Sequence, residues 1–264
     1  MSTFPGLEKC PPFLSTEYHH GPRPARPVTE RPAKLAVTLS RQTGCGAHAV
    51  GEELSHYFEA HGIGHPGPWR LYDRNLVEKT LEDHHLPGRL ARFMPEDRVS
   101  PVIDAVDELL GTHPPSWLLV KQITETVVVL AEHGNVILIG RGANLITRGL
   151  DHLVHVRLVA SLETRVQRVR QLQGLDKHAA LDFIRKEDSG RRRYFKTYFG
   201  RDLEDALLYD LVLNTDHLDA GEAARIIAEM ALAMQKHRST QVQVPLAVAA
   251  AATMRVEGQR AGPA

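Results

Sequence analysis

The sequence predicts an α/β fold, a parallel sheet with helices on both faces. Two observations carry this. Short, unbroken apolar runs such as Val136–Ile139 alternate with longer stretches of helical period, as strands buried on both faces do. A glycine cluster, Gly44 and Gly46, falls directly between the first such run and the first helical stretch, where a strand–turn–helix unit needs it.

In chain order, residues 1–33 are rich in Pro, Arg and His without an apolar period, and are expected to form a disordered leader. Lys34–Leu39 reads as a strand, and Ala47–His61 as a helix with Val50, Leu54, Tyr57 and Phe58 at helical spacing. Trp69–Tyr72 reads as a short strand and Arg74–Asp83 as a helix. Prolines break Leu86–Pro115, leaving one helical piece at Val102–Leu110. Ser116–His133 reads as a helix despite its valines, because it is long and follows two prolines. Val136–Ile139 and Leu153–Leu158 are strands, Ser161–Gln173 a helix, and Asp176–Tyr198 two helical pieces. Tyr209–Asn214 closes the strands and Ala220–Lys236 the helices. A flexible tail is expected over 237–264, and the patterned core at 34–236 is long enough for one large domain.

Bulk composition narrows the function. Lys+Arg and Asp+Glu balance at 32 each, so net charge points to neither nucleic acid nor a membrane surface as partner. Two cysteines, Cys10 and Cys45, fit reduced thiols in a cytoplasm better than a disulfide framework. No apolar segment follows a basic start, so no secretory signal is expected, and no apolar run nears the roughly 20 residues of a membrane span. Fifteen histidines include the pairs His19-His20 and His84-His85, but neither pair has further ligands at zinc spacing. Arg23, Arg26 and Arg31 lie among prolines and read as a solvated tail.

The chemistry concentrates at Ser40-Arg41-Gln42-Thr43-Gly44-Cys45-Gly46. Glycines after a strand let backbone N–H groups converge on an anion, and the following helix N-terminus adds partial positive charge. A plain tight turn is the competing reading. The Walker A pattern, Gly, four residues, then Gly-Lys-Ser/Thr, is not met: with Gly46 as its last glycine, Arg41 takes the first glycine position, Ala47 the lysine and His48 the hydroxyl. Arg41 and His48 are the nearby candidates to supply the missing charge. Cys45 reads as a small turn residue; its place near a helix N-terminus would lower its pKa and allow a redox role.

Val37–Gly46 resembles the opening of the cytidylate kinase-like family, a branch of P-loop nucleoside monophosphate kinases whose members tend to lack the Walker lysine. Leu71-Tyr72-Asp73, Ile137–Ala143, Val154–Leu158 with Ser161–Arg168, Asp188–Tyr194 and Tyr209–Thr215 resemble later family motifs in the same order. The resemblance implies a P-loop NTPase-like sheet with a helical substrate-binding insertion near 74–115 and a lid near 176–200. It implies ATP and Mg²⁺ as cofactors, and CMP or dCMP as acceptor. Thr43, Gly44, Cys45, Gly46 and Ala47 would cradle the donor phosphates with Arg165 beside them. Arg141 would hold the acceptor phosphate with Asp73, and Arg191, Arg192 and Arg41 would serve the transferring group.

Bland alternatives stand beside these roles. Arg141 also fits a surface turn. Arg191, Arg192 and Arg193 splay around their helix and cannot all face one ligand, and Asp188 is spaced to pair with Arg191 or Arg192 along it. Arg165 and Arg168 share a face that reads equally as solvated. Asp73 also fits a cap for the helix starting at Arg74. No base-recognition signature is readable in Leu86–Pro115, and no feature of the sequence sets an oligomeric state.

Overall fold

A computed structural model describes residues 34–73 and 116–238. The expected leader, the insertion near 74–115 and the tail beyond residue 238 lie outside these residues. Five strands form one sheet: β1 Ala36–Arg41, β2 Arg70–Tyr72, β3 Val136–Ile139, β4 Leu153–Val159 and β5 Leu211–Asn214. All pair in parallel, in the order β2-β3-β1-β4-β5. β1 is central, with Val37 opposite Ile137 on one side and Val154 on the other.

The helices are α1 Ala47–Ala60, α2 Ser116–His133, α3 Ala143–Ile146, α4 Leu162–Gln173, α5 Lys177–Phe199 and α6, residues 220–238. Strand alternation sorts the core into two layers. Val37, Leu39, Ile137, Ile139, Val154 and Val156 pack with Val50, Leu54 and Phe58 of α1 and Ala224, Ile227 and Ala228 of α6. Ala36, Val136, Leu138 and Leu153 point the other way, onto Ile123, Val127 and Ala131 of α2. Fully burying each Val, Leu, Ile or Phe side chain among these stabilises the fold by about 1.5–3 kcal/mol, so the two apolar layers fix the sheet between its helices. Among the described residues, no helix is long and apolar enough to cross a membrane.

Three expectations are corrected. Asp176–Tyr198 is one helix, α5, with Asp176 capping it by accepting from the Ala179 N–H and Gly200 ending it in a left-handed conformation. Gly190 lies buried inside it; the roughly 1 kcal/mol an interior glycine costs is outweighed by burial of Ile184, Tyr194 and Phe195 on either side. The last strand begins at Leu211, because Ala206–Leu208 forms a 3₁₀ turn ahead of it. The last helix also runs two residues further than expected, through His237 and Arg238.

Candidate active site

β1 delivers its turn to the C-terminal edge of the sheet, the edge where open α/β sheets bind ligands. Gly44 and Gly46 hold the turn with φ of 82° and 86°, and Gly46 is the N-cap of α1. A Cβ on Gly44 would lie 2.7 Å from the Arg165 carbonyl oxygen, so the turn lies directly against α4.

One carboxylate, Asp188 of α5, organises the turn. Its Oδ1 accepts from the Thr43 N–H at 2.9 Å and the Thr43 hydroxyl at 2.7 Å. Arg165 donates to Oδ2 at 2.7 Å and Arg191 to Oδ1 at 3.0 Å. Arg191 Nη2 also donates to Thr43 Oγ1, and its Nη1 pairs with Glu187 at 3.4 Å. Burial alone would raise the Asp188 carboxyl; the Thr43 donors and Arg191 outweigh it and hold its pKa below the ordinary carboxylate range. Within the turn, the Cys45 N–H bonds the Gln42 carbonyl at 3.3 Å.

The solvated reading of Arg165 and Arg168 is overturned. Arg165 is buried, and Arg168 donates to the Cys45 carbonyl at 3.2 Å and to Thr215 Oγ1 at 2.9 Å. The Thr215 hydroxyl donates to that same carbonyl at 2.9 Å. α4 starts just after the adjacent strand β4, so its first turns face the glycine turn rather than water. The helix-terminal lowering of the Cys45 pKa is also overturned: the thiol is 1% exposed, and burial pushes it up. A buried thiol with a raised pKa is poorly suited to redox chemistry.

Around the turn, Arg41 lies 3.8 Å from Asp73, and His48 Nδ1 lies 3.5 Å from the other Asp73 oxygen. Asp73 therefore stands beside the residue in the Walker hydroxyl position. Ala47, in the lysine position, is buried. Arg141 is 8% exposed with φ 58°, not a surface turn residue, and its carbonyl accepts from Tyr194 at 3.5 Å. The ring of Phe199 fills the place a side chain on Gly142 would occupy, 2.5 Å from that Cβ position. Arg192 is exposed and donates to Ser189 one turn back, so the structure does not bring it to the turn. Arg41, Thr43, Gly44, Cys45, Gly46, Arg165 and Arg191 are gathered there.

The sequence reading missed Thr215 and Asn144. Thr215 directly follows the segment read as the last strand, and Asn144 follows the Gly-Arg-Gly turn; nothing in their spacing marks either one. Asn144 lines a small cavity between the ends of β1 and β3, with Ser40, Arg41, Gly140, Gly142 and Arg191 among its other walls.

A central strand feeding a glycine turn and helix, in a parallel sheet ordered 2-3-1-4-5, defines a P-loop NTPase-like fold. The chain belongs to the cytidylate kinase-like family, whose sequence profile matches residues 36–217. It is 30% identical over 162 residues to the cytidylate kinase of Methanopyrus kandleri, covering 58% of this chain and 82% of that one. It is 37% identical over 107 residues to the cytidylate kinase of Pyrobaculum aerophilum, covering 40% of this chain and 57% of that one. Among solved structures, an uncharacterized protein from Eubacterium ventriosum superposes with a TM-score of 0.56 at 18% identity, covering 76% of this chain and 99% of that one.

Proposed function

We propose that this protein is a cytoplasmic phosphotransferase that moves the γ-phosphoryl group of ATP to CMP, dCMP or a related small acceptor. The observation that supports it most is that the turn already receives an anion. The Asp188 carboxylate is held by the Thr43 N–H and hydroxyl, and three guanidiniums, Arg165, Arg168 and Arg191, lie around the turn. Phosphoryl transfer asks the protein for positioning and charge neutralisation, and arginine forks supply both. In this reading Thr43–Gly46 and Ala47 form the donor-phosphate cradle with Arg165, and Arg141 and Asp73 serve the acceptor. Arg191 neutralises the transferring group, with Arg41 nearest to the charge that the absent lysine would give. Arg192 joins only if α5 turns.

Mg²⁺ keeps several waters and needs one or two carboxylates. Among the described residues no group of three acidic, His or Cys side chains could hold a metal; in this reading the metal comes with the nucleotide. In this reading Asp73, beside His48, holds one of its waters. ATP with Mg²⁺ would supply the phosphoryl group and part of its charge neutralisation. A coupled assay across nucleoside monophosphates with ATP tests this, and no turnover of any acceptor by folded protein would sink it.

A second reading is a nucleotide-binding regulatory protein without catalysis. Ala47 favours it, as does the engagement of the Thr43 N–H by Asp188. Nucleotide binding by calorimetry without transfer would select it; failure to bind ATP, ADP or CMP would exclude both. Turnover of a different small metabolite, with none of any nucleotide, would select a third reading on the same scaffold.

A further inference from the structure

We propose that Thr215 is a positioning residue for the donor phosphates: with Arg168 it pins the Cys45 carbonyl toward α4, and so holds the Gly46 N–H on the open side of the turn. This rests on the reading of Thr43–Gly46 as a phosphate cradle, and adds to it a residue that the cradle itself does not contain.

The need for a pin follows from the glycine. Gly46 holds φ 86°, but glycine takes positive and negative φ about equally well. Its own backbone preference therefore does not stop the Cys45–Gly46 peptide plane from turning over. Among the described residues no peptide bond is cis, and a trans peptide is planar with its carbonyl and N–H on opposite edges. Fixing the direction of the Cys45 carbonyl thus fixes the direction of the Gly46 N–H.

Two donors converge on that carbonyl, the Thr215 hydroxyl at 2.9 Å and Arg168 Nη1 at 3.2 Å. Each is itself held. Thr215 is 2% exposed and directly follows β5, and its N–H donates to the carbonyl of Val159, the last residue of β4, at 2.9 Å. Arg168 donates to the Thr215 hydroxyl at 2.9 Å and to the Thr215 carbonyl at 2.7 Å. A hydroxyl has one proton to give. The Val159 carbonyl, at 3.3 Å from the hydroxyl, already takes the Thr215 N–H, so the closer Cys45 carbonyl receives that proton. A charged donor on the hydroxyl oxygen strengthens the bond it makes in turn.

The Gly46 N–H points away from α4 and Thr215. On its open side the turn is uncrowded: among the described residues a Cβ at Gly46 would meet only Arg168 Nη1 within 4 Å, at 3.9 Å. Gly46 is also the N-cap of α1, where the positive end of a helix favours an anion. Turning this one peptide over would replace a donor with a carbonyl oxygen facing the phosphates.

The test uses two pairs in which only the hydroxyl is lost: wild type against T215V, and T215S against T215A. Urea midpoints identify which proteins are folded, and one folded pair is enough to decide. Calorimetry gives the affinities for ATP and CMP. Loss of the hydroxyl should weaken ATP binding roughly tenfold within each pair, as loss of a hydrogen bond to a charged group does, and leave CMP binding unchanged. T215S lacks a buried methyl and should be less stable than wild type, yet bind ATP equally well. In the transfer assay T215V should raise the KM for ATP and leave that for the acceptor unmoved. Equal ATP affinity within a folded pair overturns the inference. So does ATP affinity that follows the urea midpoint across the proteins, an equal loss of CMP affinity, or no ATP binding by wild type. Hydroxyl-dependent ATP binding without transfer to any acceptor would sink the kinase reading and keep the role of Thr215. Transfer by wild type and folded T215V with the same KM for ATP would do the reverse.

Discussion

Gly44 and Gly46 both hold left-handed backbone, yet their surroundings differ. A Cβ on Gly44 meets the Arg165 carbonyl oxygen at 2.7 Å, whereas at Gly46 the nearest atom is the flexible Arg168 Nη1 at 3.9 Å. Both alanine variants bear the left-handed penalty of about 1–2 kcal/mol. Only Gly44→Ala must also push α4 away, so it should destabilise by about 1–2 kcal/mol more than Gly46→Ala, read from urea midpoints at constant slope. Equal losses would mean that the turn does not press on α4. Asp188 gives a second expectation. Its folded pKa is depressed, so its contribution is fully present above the unfolded value near 4 and is lost as pH falls through the lower folded value. Asp188→Asn leaves Arg165 and Arg191 without a counter-charge, and should cost about 2–3 kcal/mol at neutral pH. It should also flatten the acid limb of the stability curve below about pH 4; an unaltered limb would refute the role. The sequence showed Gly44, Gly46, Arg165 and Arg191 as candidates but paired Asp188 only along its own helix. Helical spacing tells which residues share a face, not what that face meets, and the Thr43–Asp188 contact spans 145 residues of sequence.

At the scale of elements, α5 ends on the turn that carries Arg141. Phe199, its last residue, covers Gly142, whose φ is 69° and whose Cβ position lies 2.5 Å from the ring. Gly142→Ala should cost about 2–3 kcal/mol, part from backbone conformation and part from displacing the ring. Phe199→Ala removes the ring and should cost a similar amount through lost packing with Tyr194 and Phe195. In a double-mutant cycle the two should be less than additive by at least about 0.5 kcal/mol; additive losses would mean that the ring and the turn are independent. The central strands were legible because the apolar runs of β1, β3 and β4 are buried almost throughout, so composition alone identifies them. The continuity of α5 was not legible, because Gly190 reads as a break until burial on both sides of it is known.

For the whole molecule, the decisive asymmetry is between the two faces of the sheet. One face is apolar along β1 and β4. On the other, the C-terminal half carries Thr38 and Ser40 from β1 beside His155 and Arg157 from β4, register partners across the strand pair. The alternation of Val154-His155-Val156-Arg157-Leu158 was visible in the sequence, but an alternating strand normally turns its polar side to water, and here α5 and the loop before β5 cover it. Arg157 is 2% exposed, paired with Glu204 at 2.7 Å. His155 shares a hydrogen bond with Thr38 at 2.9 Å, while its backbone N–H donates to Asp210 at 2.8 Å. Burial drives the His155 pKa down to about 4, against the opposing pull of Asp210 and with help from Arg238 and Arg148. The folded value lies below the ordinary 6.5, so folding favours the neutral ring. Its contribution is complete above about pH 6.5 and is lost as pH falls from there toward 4, a total of up to about 3 kcal/mol. That window lies above the one assigned to Asp188, so the two are separable. Urea midpoints of wild type should fall between pH 7 and 4.5, while His155→Gln, less stable at pH 7, should show a flatter dependence over that interval. Parallel curves for the two proteins would show that the sheet does not hold His155 neutral.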